Sequence, residues 1–244
     1  MNKKSSKAAT FLYGKNSIRE RLQSHPKTII QIFLRDGFDD KYIIDMIKRE
    51  RVDHKVVSLK EFSRLQHNAD AQGIIARIHP FQYTDFEQII NTPHKPILIF
   101  LDHLYDPQNL GVILRISACF GKFVLIIPKH DACEVTDAVL HVACGGENFT
   151  PVVMVTNINQ SLELAKKAGY WIVGAVVGAG EDITQVKLPF PLGIVMGSEG
   201  KGIRPGVKAH LDKEVFIPMK GAQLSLNVAV ACAVLCYEAQ KQYR

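Results

Sequence analysis

The 244-residue sequence has no apolar run long enough to cross a bilayer. Its longest, Val228 to Tyr237, is about half of the roughly 20 residues that a spanning helix needs, which excludes a transmembrane helix and a membrane partner of that kind. Cysteine is scarce and unpatterned. Cys119, Cys133, Cys144, Cys232 and Cys236 contain no CxxC and no Cys/His set at zinc spacing, and an odd number does not build a disulfide framework. No metal site is therefore expected, and a reducing, cytoplasmic setting fits. Cys232 and Cys236, one helical turn apart in the apolar run, read as buried small hydrophobes. Internal repeats and low-complexity tracts are absent. The opening MNKKSSKAAT is basic and polar without the apolar centre of a secretory signal, and is read as a frayed tail.

What is present describes a folded chain. Hydrophobic residues make up 47% and charged residues 22%, the balance of a soluble globular protein, and the length allows two domains with a core each. The formal charge of +6 is unevenly divided: residues 1–80 hold 16 Lys/Arg against 9 Asp/Glu, whereas residues 96–244 hold 13 of each. A basic module beside a neutral one suits a polyanion-binding domain attached to a domain with another task, although a modest positive balance also occurs on ordinary surfaces.

Residues 1–80 read as a small mixed α/β domain, with helix Lys15–Gln23, strand Thr28–Leu34, helix Asp39–Arg51, strand His54–Leu59, helix Lys60–Gln66 and strand Gly73–His79. Residues 81–95, between two prolines and with a short helix at Phe86–Ile90, read as the connection. From Pro96 the alternation becomes regular: strands at Ile97–Leu101, Phe123–Ile127, Val152–Thr156 and Trp171–Val177, with helices Pro107–Phe120, Val135–Ala143 and Asn159–Ala168 between them. Strand Gly193–Met196, a turn or short helix through His210, strand Glu214–Ile217 and a helix from about Ser225 complete it. Apolar strands separated by helices imply a parallel sheet covered on both faces.

In such sheets ligands bind beyond the carboxyl ends of the strands. Three strand ends run into polar or glycine-bearing segments: LDHLYDPQNLGVILR, MGSEGKGI and PMKGAQLSLNVAVA. The glycine segment fails as a phosphate loop. Counting back from Gly200-Lys201 reaches Val195 rather than the first glycine of a Walker A motif, and a dinucleotide GxGxxG fails at Pro205. Glu199 would also repel the anion. A strand-end loop whose backbone meets a neutral or cationic ligand remains, beside the alternative of a plain tight turn. In the first segment Asp106-Pro107 is a strong helix start, placing Asn109 in the first turn. Arg115, one turn beyond Gly111, is expected to lean over that glycine toward the mouth of the sheet and to bind phosphate or carboxylate, or else to form a structural ion pair. In the third, Ser225 is the expected N-cap of the last helix, with Asn227 in its first turn and the helix buried nearly all round.

Together DPQNLGVILRISACFG, IVMGSEGKGI and IPMKGAQLSLNVAVA resemble, in order and spacing, the three motifs of the SpoU/TrmH-type ribose 2′-O-methyltransferases of the SPOUT superfamily. FLYGKNSIRERL through AQGIIARIHP resembles the small ribosomal-protein-like substrate-binding domain of rRNA-modifying members. The resemblance implies an α/β fold with a deep trefoil knot in the C-terminal domain, S-adenosylmethionine held largely by backbone at Gly197, Ile217 and Leu226, and a homodimer whose interface helps form the site. It assigns Asn109, Arg115, Glu199, Ser225 and Asn227 to catalysis. Arg115 is the family's proposed base, which is awkward for a side chain that keeps its proton; positioning and charge stabilisation suit it better. The implied activity is methylation of an RNA ribose 2′-hydroxyl, in large-subunit (23S) rRNA. The alternatives are a tRNA substrate and a non-catalytic RNA-binding or ribosome-assembly protein on the same fold. A nucleotide-dependent oxidoreductase is disfavoured by the failed GxGxxG. Two positions depart from the family's frequent residues: Ala71 stands where histidine is common and Ala229 where serine is.

Overall fold

The computed structural model describes residues 10–65, 71–198, 200–221 and 224–243. The expected N-terminal tail and Glu199 lie outside the described residues.

The first eighty residues build β1 (Thr10–Tyr13), α1 (Lys15–Ser24), β2 (Ile29–Arg35), α2 (Lys41–Arg49), β3 (His54–Val57), α3 (Leu59–Leu65) and β4 (Ile74–Ile78). The strands form one sheet in the order β1-β4-β2-β3, with β2 and β3 parallel and the other pairs antiparallel. In α2 the buried face is Ile43, Met46 and Ile47, a 3–4 spacing, with Asp40 capping the helix by accepting from the Ile43 amide at 3.2 Å. Ile44, beside them in the sequence, is only half-buried. The strand β1 was not expected; it pairs with β4 from Thr10↔Ile78 to Tyr13↔Ile75 and buries Leu12 and Tyr13. Ala71 is fully buried beside Tyr13, Val57, Phe62 and Ile75, so its departure from histidine falls in packed interior.

A short helix, α4 (Phe86–Ile90), lies within the expected connection, and it does not hang free. Phe86, Ile89 and Ile90 are buried with Leu98, Phe100 and Val124 of the second sheet, and Phe86 meets Phe100 edge to face at 6.3 Å.

The remaining elements are β5 (Ile97–Leu101), α5 (Pro107–Phe120), β6 (Phe123–Pro128), α6 (Asp137–Ala143), β7 (Val152–Val155), α7 (Ile158–Lys167), β8 (Trp171–Ala175), β9 (Glu181–Asp182), β10 (Leu192–Met196), α8 (Pro205–Lys208), β11 (Lys213–Phe216) and α9 (Val228–Gln242). Seven strands form a wholly parallel sheet in the order β7-β6-β5-β10-β8-β11-β9. Every residue of β5, β6 and β10 is buried, as strands covered on both faces must be. The late strand β10 enters between β5 and β8, so the carboxyl ends of early and late strands open side by side. The two-residue β9, which the sequence did not announce, closes the edge.

Among the described residues, no helix is long and apolar enough to cross a membrane.

Candidate functional site

At the carboxyl ends of β8, β10 and β11 lies a cavity of about 440 Å³. The loops after β10 and β11 and the start of α9 contribute Gly197, Ser198, Ile217, Met219, Ser225, Leu226 and Asn227, while Val176 and Val177 follow β8. Of the residues assigned from the motifs, Gly197, Ile217, Ser225, Leu226 and Asn227 therefore meet in one place. Val176, Val177, Met196 and Met219 were not anticipated; their only sequence signal is their place at or just past apolar strands.

The glycine segment forms a narrow hairpin. Ser198 and Gly202 exchange backbone hydrogen bonds, the Gly202 N–H donating to the Ser198 carbonyl at 2.9 Å and the Ser198 N–H to the Gly202 carbonyl at 3.2 Å. Gly200 and Gly202 turn with φ of +77° and +65°, a region that favours glycine. Gly197 is glycine for a different reason: a Cβ there would lie 2.2 Å from the Gly202 carbonyl carbon. The hairpin is tied to β5 by Asp102, which is buried. The Arg204 Nη2 donates to its carboxylate at 2.7 Å, Nε at 2.9 Å, and the Arg204 backbone N–H at 3.1 Å. Sequence reasoning passed over this pair, 102 residues apart, although an acid at a strand end and an arginine after a glycine loop were both visible.

The helix α5 begins as the sequence requires, with Asp106 accepting from the Gln108 amide at 2.9 Å and Pro107 in the first turn. Asn109 is buried and accepts from the Asn227 Nδ2 at 2.9 Å, which joins the first and third motifs at the rim of the cavity. The cap of α9 differs from expectation. Asn227, not Ser225, is the N-cap, its Oδ1 accepting from the amides of Ala229 at 2.9 Å and Val230 at 3.4 Å. Ser225 is exposed on the cavity wall. Nor is α9 buried all round: Ala229, Cys232, Leu235 and Cys236 face inward, while Val230 and Tyr237 are about half exposed.

Arg115 is not where its predicted lean would place it. A Cβ on Gly111 would meet the Val142 side chain at 2.6 Å, so that glycine admits α6 rather than clearing a path for the arginine. Arg115 instead is exposed, its Nη1 3.7 Å from the Cys144 sulfur, and it lines a separate cleft of about 360 Å³ beside α1. Arg115 is thus not among the residues that line the cavity. Near the cleft, Arg21 of α1 donates to Glu147 at 2.9 Å in a buried ion pair. Burial pushes the Glu147 carboxyl up from its usual range, against the Arg21 guanidinium, which pulls it down.

The chemistry of the cavity is that of a neutral or cationic ligand. Among its described lining residues none is charged; aliphatic and methionine side chains alternate with loop backbone and with Ser198, Ser225 and Asn227. That set can sandwich an aromatic base, read its edge through backbone groups and tolerate a positive sulfur, and it offers no cation to a phosphate. Among the described residues no group of His, Cys, Asp or Glu is arranged to hold a metal.

A family model described as the SpoU rRNA Methylase family matches residues 96–237, and one described as RNA 2'-O ribose methyltransferase substrate binding matches residues 11–84. The curated 23S rRNA (guanosine-2'-O-)-methyltransferase RlmB of Vibrio vulnificus is 35% identical over 240 residues, covering 95% of this chain and 96% of its own. The protein of the same name from Escherichia coli strain K12 is 32% identical over 238 residues, covering 95% of this chain and 98% of its own. Among solved structures, the SpoU methyltransferase AviRb from Streptomyces viridochromogenes in complex with the cofactor AdoMet matches in fold with a TM-score of 0.79 at 20% identity, over 96% of this chain and 90% of that one.

Proposed function

This chain belongs to the SpoU rRNA Methylase family, and on that premise we propose that it transfers a methyl group from S-adenosylmethionine to a ribose 2′-hydroxyl of large-subunit (23S) rRNA. The observation that carries the reading is the meeting of Gly197, Ile217, Ser225, Leu226 and Asn227 around one uncharged cavity, with Asn227 bonded to Asn109. When bound there, S-adenosylmethionine supplies an electrophilic methyl on a positive sulfur. Gly197, Ile217 and Leu226 hold it through loop backbone, in a pocket whose apolar walls exclude water. Asn109 and Asn227 lock each other's amides at the rim and orient the incoming ribose, with Ser225 exposed on the same wall. Glu199, outside the described residues, is assigned to the site by the motif alone. Holding the hydroxyl in line with the methyl is the larger part of the catalysis. Arg115 acts by positioning RNA phosphate and stabilising charge as the hydroxyl gives its proton to a neighbouring RNA phosphate.

The separation of Arg115 from its own cavity supports a homodimer in which each copy's Arg115 serves the other copy's cavity. The exposed apolar residues Val112 of α5 and Val230 and Tyr237 of α9 are the surface for that pairing. The same reading carries a trefoil knot through the loops around Gly197 and Ser225, a cytoplasmic setting, and a division into an RNA-binding domain (1–80), a connection (81–95) and a catalytic domain (96–244).

The test is transfer of labelled methyl from S-adenosylmethionine to 23S rRNA transcribed without modifications. The expected result is label in a ribose, seen as one alkali-resistant linkage, and its loss in Arg115→Ala. Label in tRNA alone would move the substrate; RNA binding without cofactor binding would make the protein non-catalytic.

A further inference from the structure

The cleft that holds Arg115 has walls of its own, and the methyl-transfer chemistry uses only that one residue of it. Asn16 and Arg19 come from α1, Arg115 and Cys119 from α5, and Cys144 and Phe149 from the segment after α6. That segment is in close contact with both helices. Gly145 has φ +94°, and a Cβ on it would meet the Glu20 Cβ at 2.5 Å; a Cβ on Gly146 would meet the Arg115 Cα at 2.9 Å. The buried Arg21–Glu147 pair pins α1 to the same segment. The cleft is therefore preformed, with one wall from α1 and the other from α5 and the segment after α6.

Its exposed groups include an aromatic ring, guanidinium groups and an amide. Phe149 is 59% exposed, and it shares the cleft with the exposed side chains of Arg115 and Asn16 and with Arg19, whose side chain is 42% exposed. A single exposed aromatic is ordinary on a protein surface. An exposed aromatic ring that shares a cleft with two guanidinium groups and an amide is the composition that binds unpaired nucleotides, by stacking the base and neutralising the phosphates. The one carboxylate on the wall, Glu20, lies 3.7 Å from Arg19 and does not face a second acid in the lining. Of the basic residues of 1–80, Arg19 lines this cleft and none is among the described residues lining the uncharged cavity.

We propose that the cleft binds one unpaired RNA nucleotide next to the ribose that is methylated, with its base stacked on Phe149 and its phosphates held by Arg19 and Arg115. The neighbouring ribose rests on the methyltransferase reading; the binding itself does not. Phe149 then determines which RNA segment is presented, since a base held in a duplex cannot reach an isolated ring.

The experiment uses the full chain and unmodified 23S rRNA transcript, with affinity measured by filter retention for the wild type, Phe149→Ala, Phe149→Leu and Phe149→Trp. Loss of one base–aromatic stack corresponds to roughly ten-fold or more in affinity. Alanine and leucine are expected to weaken binding by about that factor and tryptophan to hold it within about two-fold. The KM for RNA rises in parallel while the affinity for S-adenosylmethionine, by calorimetry, stays level. Wild-type affinity in the alanine and leucine variants overturns the proposal, as does equal weakening in all three. If the wild type binds rRNA but transfers no methyl, the methyltransferase reading fails while the affinity ratio still decides the cleft. If it methylates and the ratio is one, the cleft alone fails.

Discussion

The cavity at the strand ends and the cleft beside α1 are both reached from α5, yet they are lined by opposite chemistry. The first shows no charged side chain among its described residues; the second carries Arg19, Glu20 and Arg115. The first is shaped by backbone brought close through Gly197 and by apolar strand ends, the second by long cationic side chains and one exposed ring. Asn109, which bonds to Asn227 of the cavity wall, and Arg115, which lines the cleft, stand six positions apart on one helix. Such a split suits a reaction between a small, positively charged methyl donor and a large polyanion: fixed cations would repel the donor, and a polyanion needs them.

The comparison can be broken from either side. The largest effect is expected at the junction that shapes the cleft. Arg21→Ala leaves the Glu147 carboxylate buried without its partner, and breaking a buried pair in this way costs about 3–5 kcal/mol, read as a lower midpoint in urea unfolding. Next is Gly197→Ala. Its methyl would displace the hairpin, and an overpacking cost of up to about 3 kcal/mol should weaken S-adenosylmethionine binding by about 100-fold in calorimetry while leaving rRNA affinity unchanged. A smaller loss is expected from Asn227→Ala, which removes both the cap of α9 and the bond to Asn109: about 1 kcal/mol of stability, with a larger fall in methyl transfer than the stability change explains. The smallest effect is expected from Arg19→Ala, which should reduce the slope of log affinity for rRNA against log salt by about 1 and leave cofactor binding untouched.

The catalytic domain was legible because its strands and helices alternate cleanly. The bounds of α5 follow from Asp106-Pro107 at one end and Gly121 at the other, and the cavity's residues follow from motifs at strand ends. What escaped the sequence was set by contacts far apart in the chain. The direction of Arg115 depends on Val142 filling the space over Gly111, which no spacing within α5 reveals. Choosing Ser225 over Asn227 as the cap was a choice between two good capping residues two positions apart, decided by where α9 begins to pack on its neighbours. The four residues of β1 are too few to show a pattern, and Arg21 and Glu147, 126 positions apart, carry no local signal of pairing.

The division of the site between two copies is tested most directly by co-expressing, in equal amounts, a chain carrying Arg115→Ala and a chain carrying Gly197→Ala, each inactive by itself. If each Arg115 serves the partner's cavity, half of the dimers are mixed and each has one intact site, so about a quarter of wild-type methyl transfer to 23S rRNA returns. If Arg115 acts only within its own chain, no site in the mixture is intact and no activity returns.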